Sequence, residues 1–206
     1  GTPVKAAPKP KMGTQIIPKE RYTSSDYMHQ EWDKLWTKVW LLACREEDLP
    51  EPGDHYVTEI GVESILLVRQ KDMSIRAFYN VCQHRGNKLV HSFEQPQEAA
   101  QSFKCKYHDW EYGLDGGFVD IPDLETFPQG APDCSGLASL PCDTWGSFVW
   151  FSLNPDVEPL KDYLGIIPEH LNPYHFERMV LTKTLTVEWD CNWKASVDAF
   201  NESYHV

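Results

Sequence analysis

The hydrophobic pattern changes along this chain of 206 residues. Near the start, a Ser24-Ser25-Asp26 N-cap signal precedes apolar side chains that recur three and four positions apart, which predicts a helix. Between residues 54 and 153, short apolar and β-branched runs replace that spacing, and turn residues separate several of them. The predicted strands are His55–Ile60, Ser64–Arg69, Arg76–Val81, Ser102–Tyr107 and Ser147–Leu153. Many short strands with turn punctuation favour an antiparallel all-β domain of the sandwich or barrel type.

After residue 155 the pattern is mixed. A short helix is predicted near residues 160–164, and a strand over 179–188, where Thr alternates with Leu and Val. Residues 190–205 have a helical pattern. At the other end, residues 1–20 are rich in Pro and Lys and poor in apolar side chains, which predicts a flexible arm. We therefore expect an α+β chain with parts at 1–20, 21–155 and 156–206.

Composition narrows the function classes. A net charge of −12 argues against nucleic acid and against anionic membrane surfaces as partners. The longest apolar runs, at residues 39–44 and 65–68, are much shorter than the roughly 20 residues that span a bilayer. No secretory signal is recognised, so a cytoplasmic location is expected. The six cysteines are too few for a disulfide scaffold, and four are predicted to be small buried side chains: Cys44, Cys134, Cys142 and Cys191.

The other two cysteines belong to paired metal-ligand motifs. Cys82 and His84 follow one predicted strand, and Cys105 and His108 close another. A Rieske [2Fe–2S] cluster takes two thiolates on one iron and two imidazoles on the other, so each loop would supply one ligand of each kind. A structural zinc ion could use the same four residues, although zinc sites usually place both cysteines in one knuckle.

These motifs resemble the Rieske domain of ring-hydroxylating oxygenase α subunits. The similar residues are Cys82-x-His84-Arg85-Gly86 and Cys105-x-x-His108-x-Trp110-x-Tyr112-x-x-x-Gly116. The resemblance implies an iron–sulfur-protein-like antiparallel β domain and favours the oxygenase type, because neither loop carries the extra cysteine of the cytochrome bc proteins. One departure is Asp109, which stands where the family usually has Gly.

A second motif lies near the end of the chain. Asn192-Trp193-Lys194 and the later Glu202-x-x-His205 are similar to the family's segment that opens the mononuclear iron site. The resemblance implies that His205 is the first iron ligand and that Glu202 takes the place of the carboxylate, normally Asp, that bridges the two metal centres between subunits. Some members that act on quaternary ammonium compounds carry Glu there. Alone, Glu-x-x-His on a helix is more often a solvated pair.

The resemblance implies the function of a complete α subunit. Electrons from NAD(P)H, delivered by a reductase or ferredoxin, would pass through the [2Fe–2S] cluster to mononuclear Fe(II), for O₂-dependent hydroxylation or demethylation of a small organic substrate. A homotrimer, with or without β subunits, is expected. Residues 156–206 would begin the catalytic domain, whose remaining iron ligands are expected beyond Val206, so this polypeptide alone is expected to be inactive.

Two other classes stay open. One is a stand-alone electron carrier of the Rieske-ferredoxin type, and the other is a zinc-stabilised binding module. The electron donor is expected to dock near the cluster loops, where positive side chains gather: Arg85, Lys88, Lys104 and Lys106.

Overall fold

The computed structural model describes residues 16–91, 99–130, 132–133 and 135–201. The chain divides into two compact units, one formed from Gly1–Glu31 with Leu185–Val206 and the other from Trp32–Thr184.

The larger unit contains three antiparallel sheets. In the first, β1 (Trp40–Arg45) pairs with β10 (Phe148–Ser152), which pairs with β9 (Cys142–Trp145). The second has the order β2 (His55–Ile60), β3 (Glu63–Arg69), β4 (Ile75–Tyr79) and β8 (Ser139–Leu140). The third has the order β5 (Ser102–Lys104), β6 (Glu111–Gly113) and β7 (Phe118–Asp120). These pairings confirm the predicted antiparallel β architecture.

Strand β3 separates two hydrophobic cores. Successive side chains of a strand point to opposite faces of the sheet. Ile65 and Leu67 enter one core, with Val149 and Phe151 of β10. Their neighbours on β3 face the other core, which holds the side chains nearest the candidate site: Leu66, Val68, Phe78, Phe103, Trp110 and Tyr112. Burial on both faces explains why β3 is an unbroken apolar run.

Short helices flank the sheets of the larger unit. A π-helix, Trp32–Trp36, places Trp32 and Trp36 against the core that contains Ile65. The predicted helix α3, Leu160–Leu164, is confirmed, and it buries its first and last residues against Trp40. The remaining helical segments are α4 (Ile167–Leu171) and the 3₁₀ turns Glu46–Asp48, Leu124–Thr126, Asn172–Tyr174 and Phe176–Arg178.

The smaller unit joins helices from both ends of the sequence. Helices α1 (Glu20–Thr23) and α2 (Ser25–Glu31) belong to it, together with α5 (Trp193–Phe200). The Tyr22 hydroxyl donates a hydrogen bond of 2.6 Å to Asp198, and the buried Lys194 ammonium lies 2.9 Å from the Glu31 carboxylate. The rings of Tyr22, Tyr27 and Trp193 surround that ammonium at 5.2–5.8 Å.

Several sequence predictions are corrected. The strand predicted over residues 179–188 is absent, and alternate side chains such as Leu181 and Leu185 are 68% and 77% exposed. A strand needs a partner for its backbone groups, and no described strand pairs with this segment. Cys191 is exposed rather than buried, whereas Cys44 is buried and Cys142 half-buried. Cys134 lies outside the described residues.

The helices do not suggest a membrane span. Within the described ranges, none of them combines the length and apolar character that crossing a bilayer requires.

Candidate iron–sulfur cluster site

Two loops with the same backbone hydrogen bonds carry the four predicted ligands. In the first loop, after β4, the Cys82 N–H donates to the Asn87 carbonyl at 2.8 Å, and the Gly86 N–H donates to the Cys82 carbonyl at 2.9 Å. Each bond spans the predicted ligand His84, so the loop is a tight turn around it.

The second loop, between β5 and β6, repeats this arrangement. The Cys105 N–H donates to the Trp110 carbonyl at 2.8 Å, and the Asp109 N–H donates to the Cys105 carbonyl at 2.9 Å. Asp109 therefore corresponds to Gly86, and both have left-handed backbone, with φ of 61° and 72°. Asp adopts this conformation more readily than most side chains, which explains how it replaces the usual Gly.

The thiols of both loops meet inside the domain. Cys82 and Cys105 are each only 2% exposed, and their side chains lie within hydrogen-bonding reach of each other. The buried Tyr112 hydroxyl is 3.2 Å from Cys82 Sγ and accepts the Gln83 N–H at 2.9 Å. The Asn87 amide is 3.8 Å from Cys105 Sγ.

Local hydrogen bonds give the two thiols different acidities. Burial raises the pKa of Cys82, against the hydrogen bonds from Tyr112 and the His84 N–H. Burial also acts to raise the pKa of Cys105, but the hydrogen bonds from the Tyr107 and His108 N–H groups and from the Cys82 and Asn87 side chains together outweigh it, and the pKa falls. N–H groups that stabilise sulfur anions are what metal-bound thiolates require.

The two imidazoles lie at the protein surface. His84 and His108 are exposed, and their ring centroids are 4.6 Å apart. The His84 ring stacks on the buried Trp110 at 4.9 Å and an interplanar angle of 9°, which fixes its orientation. Partial removal from water, together with the charges of His108 and Arg85, lowers the pKa of His84, so its neutral form is favoured. A neutral imidazole is the form that binds metal.

This donor set fits a Rieske cluster. The described residues contain no group of three or more His, Cys, Asp or Glu side chains placed to hold one metal ion. The four predicted ligands instead form a buried thiol pair and an exposed imidazole pair, contributed equally by the two loops. A two-iron cluster with thiolates on one iron and imidazoles on the other has the same division.

The second predicted site is only partly described. The helical pattern predicted over residues 190–205 is confirmed only over α5, Trp193–Phe200, and the Asn192 side chain caps this helix by accepting the Lys194 N–H at 3.1 Å. Glu202 and His205 lie outside the described residues. Their assignment as bridging carboxylate and iron ligand stays a prediction.

Several polar residues around the loops carry no functional signal in the sequence patterns. Tyr112 stands out only as a motif position, and the contacts of Asn80 and Asn87 have no counterpart in the sequence. The signal available for Tyr112 was its place two residues after Trp110, because side chains two apart in an extended segment point the same way, and both residues are buried.

Comparison with known proteins supports the same family. The Rieske [2Fe–2S] domain family matches residues 39–141. The oxygenase subunit of carnitine monooxygenase from Acinetobacter pittii is 29% identical over 191 residues, or 92% of this chain and 51% of that protein. The large oxygenase component of the naphthalene 1,2-dioxygenase system from Pseudomonas aeruginosa is 32% identical over 88% of this chain and 41% of that protein.

Solved structures of Rieske oxygenases are similar to this chain as well. A quaternary ammonium Rieske monooxygenase, crystallised with its substrate gamma-butyrobetaine, superposes with a TM-score of 0.85 at 29% identity, covering 92% of this chain and 54% of that one. The chain therefore belongs to the Rieske oxygenase α-subunit family. It spans about half the length of the curated relatives it matches.

Proposed function

We propose that this chain is part of an oxygenase α subunit that receives electrons from a reductase or ferredoxin. In the whole protein the electrons would pass through a [2Fe–2S] cluster to a mononuclear non-haem iron. That iron would use O₂ to hydroxylate or demethylate an organic substrate. The observation that carries this proposal is the pair of matched loops, with two buried thiols and two exposed imidazoles. Such a cluster, when bound, accepts and releases one electron at a time.

The proposed ligands are Cys82, His84, Cys105 and His108. Burial of the thiols keeps water from the sulfur side, so hydrogen bonds from the protein, rather than solvent, adjust the potential. Exposure of the imidazoles leaves a short route between the site and a partner at the surface. The stacked Trp110 ring holds His84 in the orientation that this route needs.

One positive charge of the proposed docking surface for the electron donor is partly compensated within the chain. Lys88 forms an ion pair with Glu59 at 3.0 Å, so its charge is partly compensated. We propose that Arg85 and Lys104, whose side chains are exposed, contribute most of the attraction for an acidic donor. Charge reversal at Lys104 should slow reduction at low salt, and the difference should shrink as salt screens the charges.

For the substrate, we favour a quaternary ammonium compound. The matched quaternary ammonium monooxygenase structure covers 92% of the chain, whereas a matched naphthalene dioxygenase covers 73% with a TM-score of 0.66. The carboxylate at position 202 is Glu, as the sequence resemblance associates with such substrates.

The cluster assignment is tested by reconstitution with iron and sulfide under anaerobic conditions. We expect a brown protein with two irons and two sulfides per chain and a Rieske-type EPR signal after reduction. Cys82→Ala should abolish the signal, whereas Cys44→Ala, at a buried cysteine on β1, should keep it. Stoichiometric zinc in place of iron, or an unchanged signal in Cys82→Ala, would refute the ligand set.

The path to the mononuclear iron is tested at Glu202 in a protein that carries the whole predicted iron site. Glu202→Gln should keep a reducible cluster and bound iron but lose most of the electron transfer between them, because a carboxylate orients the ligand imidazoles and raises their basicity. Glu202→Asp, the residue usual in the family, should recover part of the rate. Normal single turnover in the Gln variant would exclude the bridge.

A further inference from the structure

The two cluster loops differ in how their ends are held together. The second loop is closed by strand pairing, since Lys104 of β5 lies opposite Glu111 of β6, and Phe103 opposite Tyr112. The first loop leaves the sheet after β4 ends at Tyr79, but the chain that returns at residues 89–90 forms no strand. Its ends must be held by something other than a backbone ladder.

A single side chain, Asn80, makes the missing hydrogen bonds. Its amide oxygen accepts the N–H groups of Leu89 and Val90 at 3.2 and 3.1 Å, and its amide nitrogen donates to the Val90 carbonyl at 2.6 Å. Asn80 is 1% exposed, so water cannot replace these bonds. An amide that both donates to and accepts from one returning segment reproduces the hydrogen bonding of a paired strand.

The second amide hydrogen of Asn80 connects it to the sheet. It is donated to Ser64 Oγ at 3.1 Å, while the Asn80 N–H bonds to the Ser64 carbonyl at 2.8 Å. The Ser64 hydroxyl in turn donates to Glu59 at 3.0 Å, and Glu59 forms the ion pair with Lys88. Because Lys88 lies at the end of the first loop, the network begins and ends on that loop.

We propose that Asn80 is a positioning residue that holds the first loop closed and thereby fixes Cys82 and His84 relative to the second loop. This inference rests on the proposed function, because it assigns Asn80 to the support of the cluster. Without Asn80, buried backbone groups at Leu89 and Val90 would lack partners, and the loop would open to satisfy them with water.

The chain offers a matched control in Gln70. Its buried amide nitrogen also donates to two acceptors, the Val68 and Leu114 carbonyls at 3.2 and 2.7 Å, but neither acceptor belongs to a cluster loop. Asn80→Ala and Gln70→Ala therefore each remove a buried amide whose nitrogen donates two hydrogen bonds, and Asn80→Ala also removes the two bonds that the amide oxygen accepts. Ser64→Ala, which removes only one acceptor of Asn80, is a milder variant that keeps the test informative should Asn80→Ala fold poorly.

Two measurements are made on the reconstituted chain. In the presence of an iron chelator, the visible absorbance of Asn80→Ala should decay about tenfold faster or more than that of wild type, as expected for the loss of an outer-shell support. Gln70→Ala should stay near the wild-type rate, and Ser64→Ala should lie between the two. Hydrogen exchange should show lost protection at Leu89 and Val90 in Asn80→Ala alone.

The outcomes distinguish the role of Asn80 in closing the loop from the proposed function of the chain. Equal decay in the Asn80 and Gln70 variants, or unchanged protection at Leu89 and Val90, would overturn the role of Asn80. Failure of the wild-type chain to take up a Rieske cluster would overturn the proposed function instead, while hydrogen exchange would still decide whether Asn80 closes the loop. If Asn80→Ala does not fold, a Ser64→Ala decay rate equal to that of Gln70→Ala would count against the proposal.

Discussion

Replacing Tyr112 by Phe should lower the reduction potential of the cluster. The Tyr112 hydroxyl lies 3.2 Å from the sulfur of the proposed ligand Cys82, in a fully buried position. Because the same oxygen accepts the Gln83 N–H, its own hydrogen is free to point at the sulfur. Reduction adds negative charge to the site, so this hydrogen bond stabilises the reduced state more than the oxidised state.

The magnitude follows from the strength of one hydrogen bond. A typical net contribution is about 0.5–1.5 kcal/mol. For a one-electron couple, about 59 mV corresponds to about 1.4 kcal/mol, so the expected decrease is roughly 20–65 mV. The Gln83 N–H also loses its acceptor, which should lower the free energy of unfolding by about 1–3 kcal/mol.

The assay is a potentiometric titration of reconstituted wild type and variant, followed by circular dichroism in the visible range. Tyr56→Phe, at a half-buried tyrosine on β2 that packs in the other core, is the control and should show no measurable shift. An intact cluster with an unchanged potential in Tyr112→Phe would show that the hydroxyl does not donate to the sulfur, and the reasoning would fail.

Four further predictions concern backbone strain, a buried ion pair, thiol reactivity and the pH dependence of stability. Asp109→Gly should raise the free energy of unfolding in urea by up to about 1 kcal/mol, whereas Asp109→Val should lower it by about 1–3 kcal/mol, because this residue has positive φ. Lys194→Met should lower the free energy of unfolding by about 3 kcal/mol, because the Glu31 charge would lose its partner. Adding Glu31→Leu to this variant should restore part of the lost stability. Cys191 should react quickly with a thiol reagent at pH 8, and Cys44 only after unfolding, because burial raises the pKa of Cys44 to about 12. Because the Cys44 thiol ionises at a higher pH in the folded than in the unfolded chain, its contribution to stability is complete below pH 9 and is lost as the pH rises towards 12. The urea midpoint of unfolding should therefore fall between pH 9 and pH 12. It should fall less in Cys44→Ala, which lacks this thiol.

The sequence was most informative where a side-chain pattern depends on local geometry. The short apolar and β-branched runs that predict β2 and β3 follow directly from burial on one or both faces of a strand. The Cys-x-His and Cys-x-x-His motifs were recognisable because ligand chemistry restricts residue type and spacing within a loop. The helix α3 was predicted with its observed bounds.

The strands and contacts that the sequence patterns did not predict depend on contacts between distant segments. β1 follows the first helical segment without a break in the apolar pattern, and a short apolar run fits a helix or a strand until its partner is known. β6 and β7 have three residues each, too few for alternation to be visible. The role of Asn80 could not be predicted either, because its partners on Ser64 and Val90 lie 16 and 10 residues away in sequence.

The burial of the two cluster thiols has a consequence for oxidative damage. Oxidation of cysteine beyond the thiolate requires both anionic character and access to the oxidant. Cys82 and Cys105 are each 2% exposed, so dissolved hydrogen peroxide cannot easily reach their sulfur atoms. The side chains that face solvent at this site are imidazoles, which resist such oxidants better than thiolates do. The arrangement would protect the proposed cluster from dissolved oxidants, and the exposed Cys191 should be oxidised before the other cysteines that the structure describes.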